Sequence, residues 1–259
     1  MKHKGVYMII IAMFIGLIGF SGWKIWQLQK EYKDGADLYD EVSQFVVIPP
    51  EPSESKEPDN SAPIETQYDE TASDILWPEI DFNALREINS DIVGWIYIEG
   101  TEINYPIVQG EDNSYYLKHL FSGEWNSSGC LFLDSRNALD FSDIHSVIYG
   151  HHMKNGSMFS GLDNYKRQDY YDEHQNALLL TPDGNYQITF FAGYVASVED
   201  DAWKLGFRSD EFENWYSRAI EKSCFQSDTV PAVTDRIITL STCSYEFNNA
   251  RFVVLGILQ

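Results

Sequence analysis

Ile237-Ile238-Thr239-Leu240-Ser241-Thr242-Cys243, a polar excursion over 244–249, and then Ala250-Arg251-Phe252-Val253-Val254 decide how this chain folds. An apolar run rich in β-branched residues has the pattern of a buried strand. The first run delivers a cysteine at its C-terminal end, and the second opens with an arginine eight positions later. A thiol and a guanidinium at the mouths of two neighbouring strands suggest a nucleophile with a cation held beside it. The plain alternative is a structural cysteine with a surface arginine nearby, and a third residue has to decide between them.

That residue lies upstream, where Val147-Ile148-Tyr149 leads into Gly150-His151-His152. A histidine pair leaving a strand adds a proton acceptor and donor to the thiol and the cation. Three strand ends on one barrel rim would bring imidazole, thiol and guanidinium together, the logic of a Cys–His nucleophile with a cation for the developing oxyanion. A zinc site built from His151, His152 and Cys243 is the rival. Adjacent histidines rarely aim at one ion, and no carboxylate or cysteine spacing of a zinc motif accompanies them. No metal and no cofactor is expected.

Strand-like runs recur at 94–98, 103–108, 130–134, 146–149, 177–181, 186–196, 237–242 and 251–258, with turn signals such as Glu99-Gly100 and Pro182-Asp183-Gly184 between them. Many short strands of this kind predict a closed barrel or a sandwich. Helical inserts are expected at 158–174, in part, and at 209–223. In the second, Ser209 suits the N-cap, Asp210, Glu211 and Glu213 the first turn, and Arg218 and Lys222 the end. Phe212, Trp215, Tyr216, Ala219 and Ile220 then share one apolar face directed at the barrel. Asp81 is placed to cap a short helix that carries Phe82, Leu85 and Ile88.

The net charge of −22 argues against nucleic acid as a partner, since little here would neutralise phosphates. Three cysteines leave at least one unpaired in any disulfide scheme, and a Cys130–Cys224 bridge is not expected. Residues 5–23 carry no charge over nineteen positions, roughly 28 Å of helix against a hydrocarbon core of about 30 Å. Lys2 and Lys4 precede the run, and Trp23 and Trp26 follow at the far interface. An uncleaved membrane anchor with its N-terminus inside is the expectation. A cleaved signal peptide is the alternative, with only Gly19-Phe20-Ser21 as a cleavage site. Residues 26–45 alternate charged and apolar positions, as a helical stalk would. The Pro/Glu/Ser/Asp segment from Pro49 to Pro63 reads as an extended spacer that holds the ordered part away from the membrane. The expected division is a cytoplasmic tail and anchor over 1–26, a stalk and acidic linker over 27–72, and a catalytic barrel over 73–259.

Thr239-Leu240-Ser241-Thr242-Cys243 with Arg251, Tyr149-Gly150-His151 after a strand, and the N-terminal anchor together resemble the sortases, most closely those of class B. Asn104-Tyr105-Pro106-Ile107-Val108-Gln109-Gly110, and Asn113 with Tyr116-Leu117, add to the likeness, which covers about 73–259. The resemblance implies an eight-stranded sortase-type β-barrel with N-terminal helices and a helix in the loop before the cysteine strand. It also implies a membrane-anchored cysteine transpeptidase with its catalytic domain outside the cell. Cys243 would attack the threonine carbonyl of a sorting signal near the C-terminus of a secreted protein. An amine of the peptidoglycan peptide, or of its lipid-linked precursor, would then resolve the thioacyl-enzyme. His151 rather than His152 matches the catalytic histidine, Arg251 the arginine that stabilises the oxyanion, and Asn113, Leu117, Tyr149 and Ser241 the lining of the signal-peptide groove. The position two after the cysteine, acidic in some relatives, is Tyr245 here. Glu246 is not equivalent, so no catalytic carboxylate is assigned. Two other functions use the same residues differently: a cysteine protease would release the acyl-enzyme with water, and a non-catalytic surface barrel would leave Cys243 unreactive.

Overall fold

A computed structural model of the protein describes residues 2–49, 76–208 and 210–259. In chain order the elements are α1 (Lys2–Ser43), β1 (Val46–Val47), β2 (Glu79–Ile80), α2 (Phe82–Ile88), β3 (Ile92–Tyr97), β4 (Asn104–Val108), β5 (Leu131–Leu133) and β6 (His145–Tyr149). A 3₁₀ helix (Phe159–Lys166) and α3 (Gln168–Glu173) follow, then β7 (Asn176–Thr181), β8 (Gly184–Ser197), α4 (Glu211–Lys222), β9 (Arg236–Cys243) and β10 (Ala250–Leu258). The eight expected strands are all present, with ends that differ from the sequence reading by at most two residues. They close into a barrel in the order β10-β8-β7-β3-β4-β5-β6-β9. β4–β5 and β6–β9 pair parallel, and the other neighbours antiparallel.

β10 reads as a continuous apolar run because both of its faces are buried. Phe252 and Val254 point into the barrel interior with Ile238 and Leu240 of β9. Val253, Leu255 and Ile257 face outward, beneath Phe212, Trp215, Tyr216 and Ala219 of α4. The apolar face read along 212–220 therefore packs on the barrel. Its helix begins at Glu211 after Asp210, and Ser209, the expected cap, lies outside the described residues. Asp81 caps α2 by accepting the Ala84 N–H at 3.0 Å, and Leu85 is buried while Ile88 is exposed.

α1 is long and apolar enough to cross a membrane, and its described residues from Tyr7 through Trp26 are exposed. Its second half is helical as expected, but it is not a free stalk. Val42 is fully buried, the Tyr39 ring meets Tyr105 edge-on at 5.3 Å, and the Tyr39 hydroxyl donates to the Gly129 carbonyl at 2.8 Å. Asn126 and Ser127 each donate to Glu31 at 2.8 Å. β1 then pairs with β2, Val46 opposite Ile80. The chain thus reaches the barrel before it enters the acidic segment and rejoins the barrel beside its point of departure. The acidic segment, read from the sequence as an extended spacer, lies between these two contacts in the chain. Most of the segment itself, residues 50–75, lies outside the described residues.

His145, at the start of β6, ties three layers together. Its Nδ1–H donates to the Lys204 carbonyl at 2.8 Å, its Nε2 accepts from the Thr239 hydroxyl of β9 at 2.8 Å, and its ring lies 4.5 Å from that of Trp215 in α4. Burial pushes its pKa down from 6.5 to about 4. The unfolded chain therefore takes up this proton at higher pH than the barrel does. The contribution is complete above 6.5 and is lost as the pH falls from 6.5 through about 4, a change of about 3 kcal/mol. Urea midpoints measured across this window should fall in the wild type. His145→Gln should start lower and show a shallower slope, and an unchanged slope would contradict this role.

Candidate active site

Two strand pairings assemble the site. β6 and β9 run parallel with Tyr149 opposite Ser241. Two residues further along each chain come His151, just beyond the end of β6, and Cys243, the last residue of β9. β9 turns back into β10, and the antiparallel register sets Cys243 opposite Arg251. The turn between them is fixed by Ser244 N–H donating to the Ala250 carbonyl at 3.0 Å and by Asn249 at φ 62°. Imidazole, thiol and guanidinium thus share one rim of the barrel.

They line a cleft of about 290 Å³ together with Asn113, Leu117, Tyr149 and Ser241. All seven residues singled out in the sequence are brought to this one cleft. Phe132, Gly150 and Thr242 complete the lining and were not singled out. Their signal was present in strand alternation, but it does not distinguish a groove wall from core.

The polar side chains His151 and Arg251 are each held by a backbone carbonyl. His151 Nε2 lies 2.7 Å from the Leu117 carbonyl. A carbonyl only accepts, so Nε2 carries the hydrogen and Nδ1 is the nitrogen left to exchange protons with reacting groups. Gly129, at φ 60°, packs against the same imidazole: a Cβ there would come within 3.1 Å of His151 Cδ2 and 2.5 Å of the Tyr116 carbonyl oxygen. Arg251 donates to the Ala250 carbonyl at 2.9 Å, and no carboxylate pairs with it among the described residues. Its remaining N–H groups suit a carbonyl oxygen that gains negative charge.

The groove wall is built in the same way. The Tyr149 hydroxyl donates to Asp134 Oδ2 at 2.9 Å, and Arg136 clamps the same carboxylate with bonds of 2.9 and 2.8 Å. Burial opposes ionisation of Asp134, but the hydrogen bonds from Arg136 and Tyr149 outweigh it and hold the carboxyl below its ordinary value. Burial, and then the Asp134 charge, push the Tyr149 phenol up, so it stays a donor. Asn113 accepts the Ser135 N–H at 2.8 Å, and the Ser241 hydroxyl accepts from the indole of Trp203 at 3.1 Å. Trp203 ends a short 3₁₀ helix, Asp201–Trp203, between β8 and α4. Cys130 and Cys224 are both free, Cys130 buried and Cys224 exposed. Among the described residues, no three His, Cys, Asp or Glu side chains cluster as metal ligands would.

A cysteine, a histidine and an arginine on one rim of an eight-stranded barrel are a set suited to acyl transfer. The sortase domain matches residues 96–259. Sortase B of Listeria monocytogenes is 31% identical over 98% of this chain and 95% of its own length. Sortase B of Staphylococcus aureus is 30% identical over 99% and 98%. Among solved structures, the S. aureus sortase B–substrate complex aligns with a TM-score of 0.66 and 34% identity, covering 69% of this chain and 84% of that one. The Bacillus anthracis sortase B in complex with AAEK1 aligns with a TM-score of 0.70 and 30% identity over 88% and 98%. The chain belongs to the sortase family, within class B. It is a cysteine transpeptidase.

Gly150, between Tyr149 and His151, has no room for a side chain: a Cβ would fall 2.3 Å from Leu131 Cδ2 and 2.6 Å from Phe159 Cδ2. Gly150→Ala should push the histidine loop outward and slow acylation of Cys243 by about tenfold to a hundredfold. Single-turnover kinetics would measure this, and wild-type rates would show that the loop yields without moving His151.

Proposed function

We propose that Cys243 is the nucleophile, His151 the general acid and base, and Arg251 the oxyanion and substrate ligand of this transpeptidase. Asn113, Leu117, Tyr149 and Ser241 line the groove that receives the sorting signal. The observation that carries this reading is the single cleft lined by His151, Cys243 and Arg251 at the end of the parallel β6–β9 pair. The Cys243 thiol gives its proton to His151 Nδ1, the resulting thiolate attacks the carbonyl carbon at the scissile bond, and the oxyanion that forms is met by the Arg251 guanidinium. Collapse breaks the C–N bond, the departing amine takes a proton from His151 Nδ1, and a thioester remains on Cys243. An acceptor amine then attacks the thioester, gives its proton to His151, and expels the Cys243 thiolate with a new amide bond formed.

The substrate is a secreted protein with a C-terminal sorting signal, and the acceptor is an amine of the peptidoglycan peptide or its lipid-linked precursor. The apolar half of α1 anchors the chain in the membrane, with residues 1–26 as tail and anchor and the catalytic domain outside. Support comes from its length, its exposure and the lysines that precede it. The second half of α1 joins the catalytic unit formed around 73–259.

The test incubates the protein in detergent micelles with a panel of sorting-signal peptides, with and without an amine acceptor, and follows intact mass. A wild-type acyl adduct that passes to the amine, and that is absent in Cys243→Ala, is expected. Release by water alone would favour the protease, and no adduct with any peptide would favour a binding barrel. Arg251→Lys should lower kcat/KM by about a hundredfold, because a point charge does not reproduce the planar fork. Near-wild-type turnover of that variant would remove the arginine from the mechanism.

A further inference from the structure

His152, the histidine that the catalytic reading passes over, opens a chain of charged side chains that returns to the cysteine. Its Nε2 donates to Asp163 Oδ2 at 3.0 Å. The other oxygen of Asp163 pairs with Lys166 Nζ at 2.9 Å. Asp163 and Lys166 sit three apart on the 3₁₀ helix, where such positions lie directly above one another. Lys166 reaches on to the Glu246 carboxylate and to the Ser244 hydroxyl at 3.3 Å, and Ser244 itself donates to Glu246. The circuit closes where the Tyr245 ring meets His152 edge-on at 5.2 Å. Lys166 also lies 5.1 Å from the centre of the Phe252 ring.

The neighbours reached are informative. His152 directly follows His151, Ser244 directly follows Cys243, and Phe252 directly follows Arg251. One ammonium group is thus linked to the residue next to each of the three catalytic side chains. The hydrogen bonds from Lys166 and then Ser244 hold the Glu246 carboxyl down at about 2, so this carboxylate is committed to the lysine. An isolated exposed ion pair would do little. Here the pairs share partners, and Lys166 is only about a quarter exposed (27%).

We propose that Asp163, Lys166 and Glu246 form a brace that sets the spacing of His151 and Cys243, with Lys166 as its central positioning residue. The inference rests on the assignment of those two residues as the catalytic pair. The brace crosses between two loops that no backbone hydrogen bond joins beyond Gly150 N–H to the Ser241 carbonyl, among the described residues. Without it the histidine and cysteine loops move independently, and misplacement by a fraction of an ångström is costly in a proton-transfer pair.

The test uses the full chain with Cys224 replaced by Ser, so that Cys243 is the accessible thiol, and two readouts. One is kcat and KM with whichever panel peptide acylates the protein, and the other is the rate of Cys243 alkylation by iodoacetamide against pH, which needs no peptide. Lys166→Met is expected to lower kcat about tenfold with KM little changed and to displace the alkylation curve, and Lys166→Arg to restore both. Lys166→Met combined with Glu246→Gln should do no more than either alone. Wild-type turnover and an unmoved curve in Lys166→Met would overturn the proposal. So would equal losses in the Met and Arg variants that track a lowered melting temperature. Should Lys166→Met fail to fold, Asp163→Asn and Glu246→Gln decide, each expected to displace the curve and each overturning the brace if both leave it unmoved. A curve that depends on the brace in a protein that no peptide acylates would support the brace and count against the transpeptidase assignment.

Discussion

The parallel pairing of β6 with β9 is the constraint on which the rest of this structure depends. The register of 149 with 241 carries both chains to the rim in step, and just beyond it His151 and Cys243 line one cleft. Parallel neighbours cannot be joined by a tight turn, so the chain must leave the rim and come back the same way up. Everything from the 3₁₀ helix through α4 lies in that return path. The detour is put to use: it supplies Asp163 and Lys166 behind the catalytic loops and Trp203 behind Ser241. A topological requirement of the barrel thus provides the second layer of the active site.

The barrel has no spare face around this pairing. α4 covers the outside of β8 and β10, and α1 with α2 covers the opposite wall near Trp95 and Val108. His145 fastens β6, β9 and the α4 layer at the end of the strands opposite the rim. Its buried neutral ring gives rigidity near neutral pH and a liability in acid. The site chemistry works at one end of the β6–β9 pair, and the acid-sensitive fastening sits at the other.

The strands, and the three positions proposed as catalytic, stand out in the sequence because both depend on local pattern. β-branched runs between turn residues mark the strands, and a cysteine, a histidine and an arginine at strand ends stand out against them. Choosing His151 over His152 rested on likeness to known enzymes; of the two, His151 lines the cleft and His152 does not. What stayed hidden is non-local. Nothing around Tyr39 announces a hydrogen bond to Gly129, ninety positions away. Two-residue strands such as β1 and β2 are too short to show alternation, so the return of the chain to the barrel around the acidic segment could not be read. Trp203 and Lys166 look like ordinary loop residues until the fold brings Ser241 and Glu246 to them.

The charges of the site fit the absence of a carboxylate from the position two after the cysteine. Glu246 is engaged by Lys166, and His151 is oriented by a neutral carbonyl, that of Leu117. A carbonyl fixes the ring and its tautomer, but it stabilises an imidazolium less than a carboxylate would. That is adequate for a residue that must accept a proton in one half of the reaction and give it up in the other. Arg251 is likewise left without a carboxylate partner among the described residues. In a chain of net charge −22, an arginine without a carboxylate partner stands out. The negative charge it lacks is the one the reaction brings, on the oxygen of each tetrahedral intermediate. In the proposed mechanism the guanidinium, unpaired with any carboxylate among the described residues, is available to that oxygen.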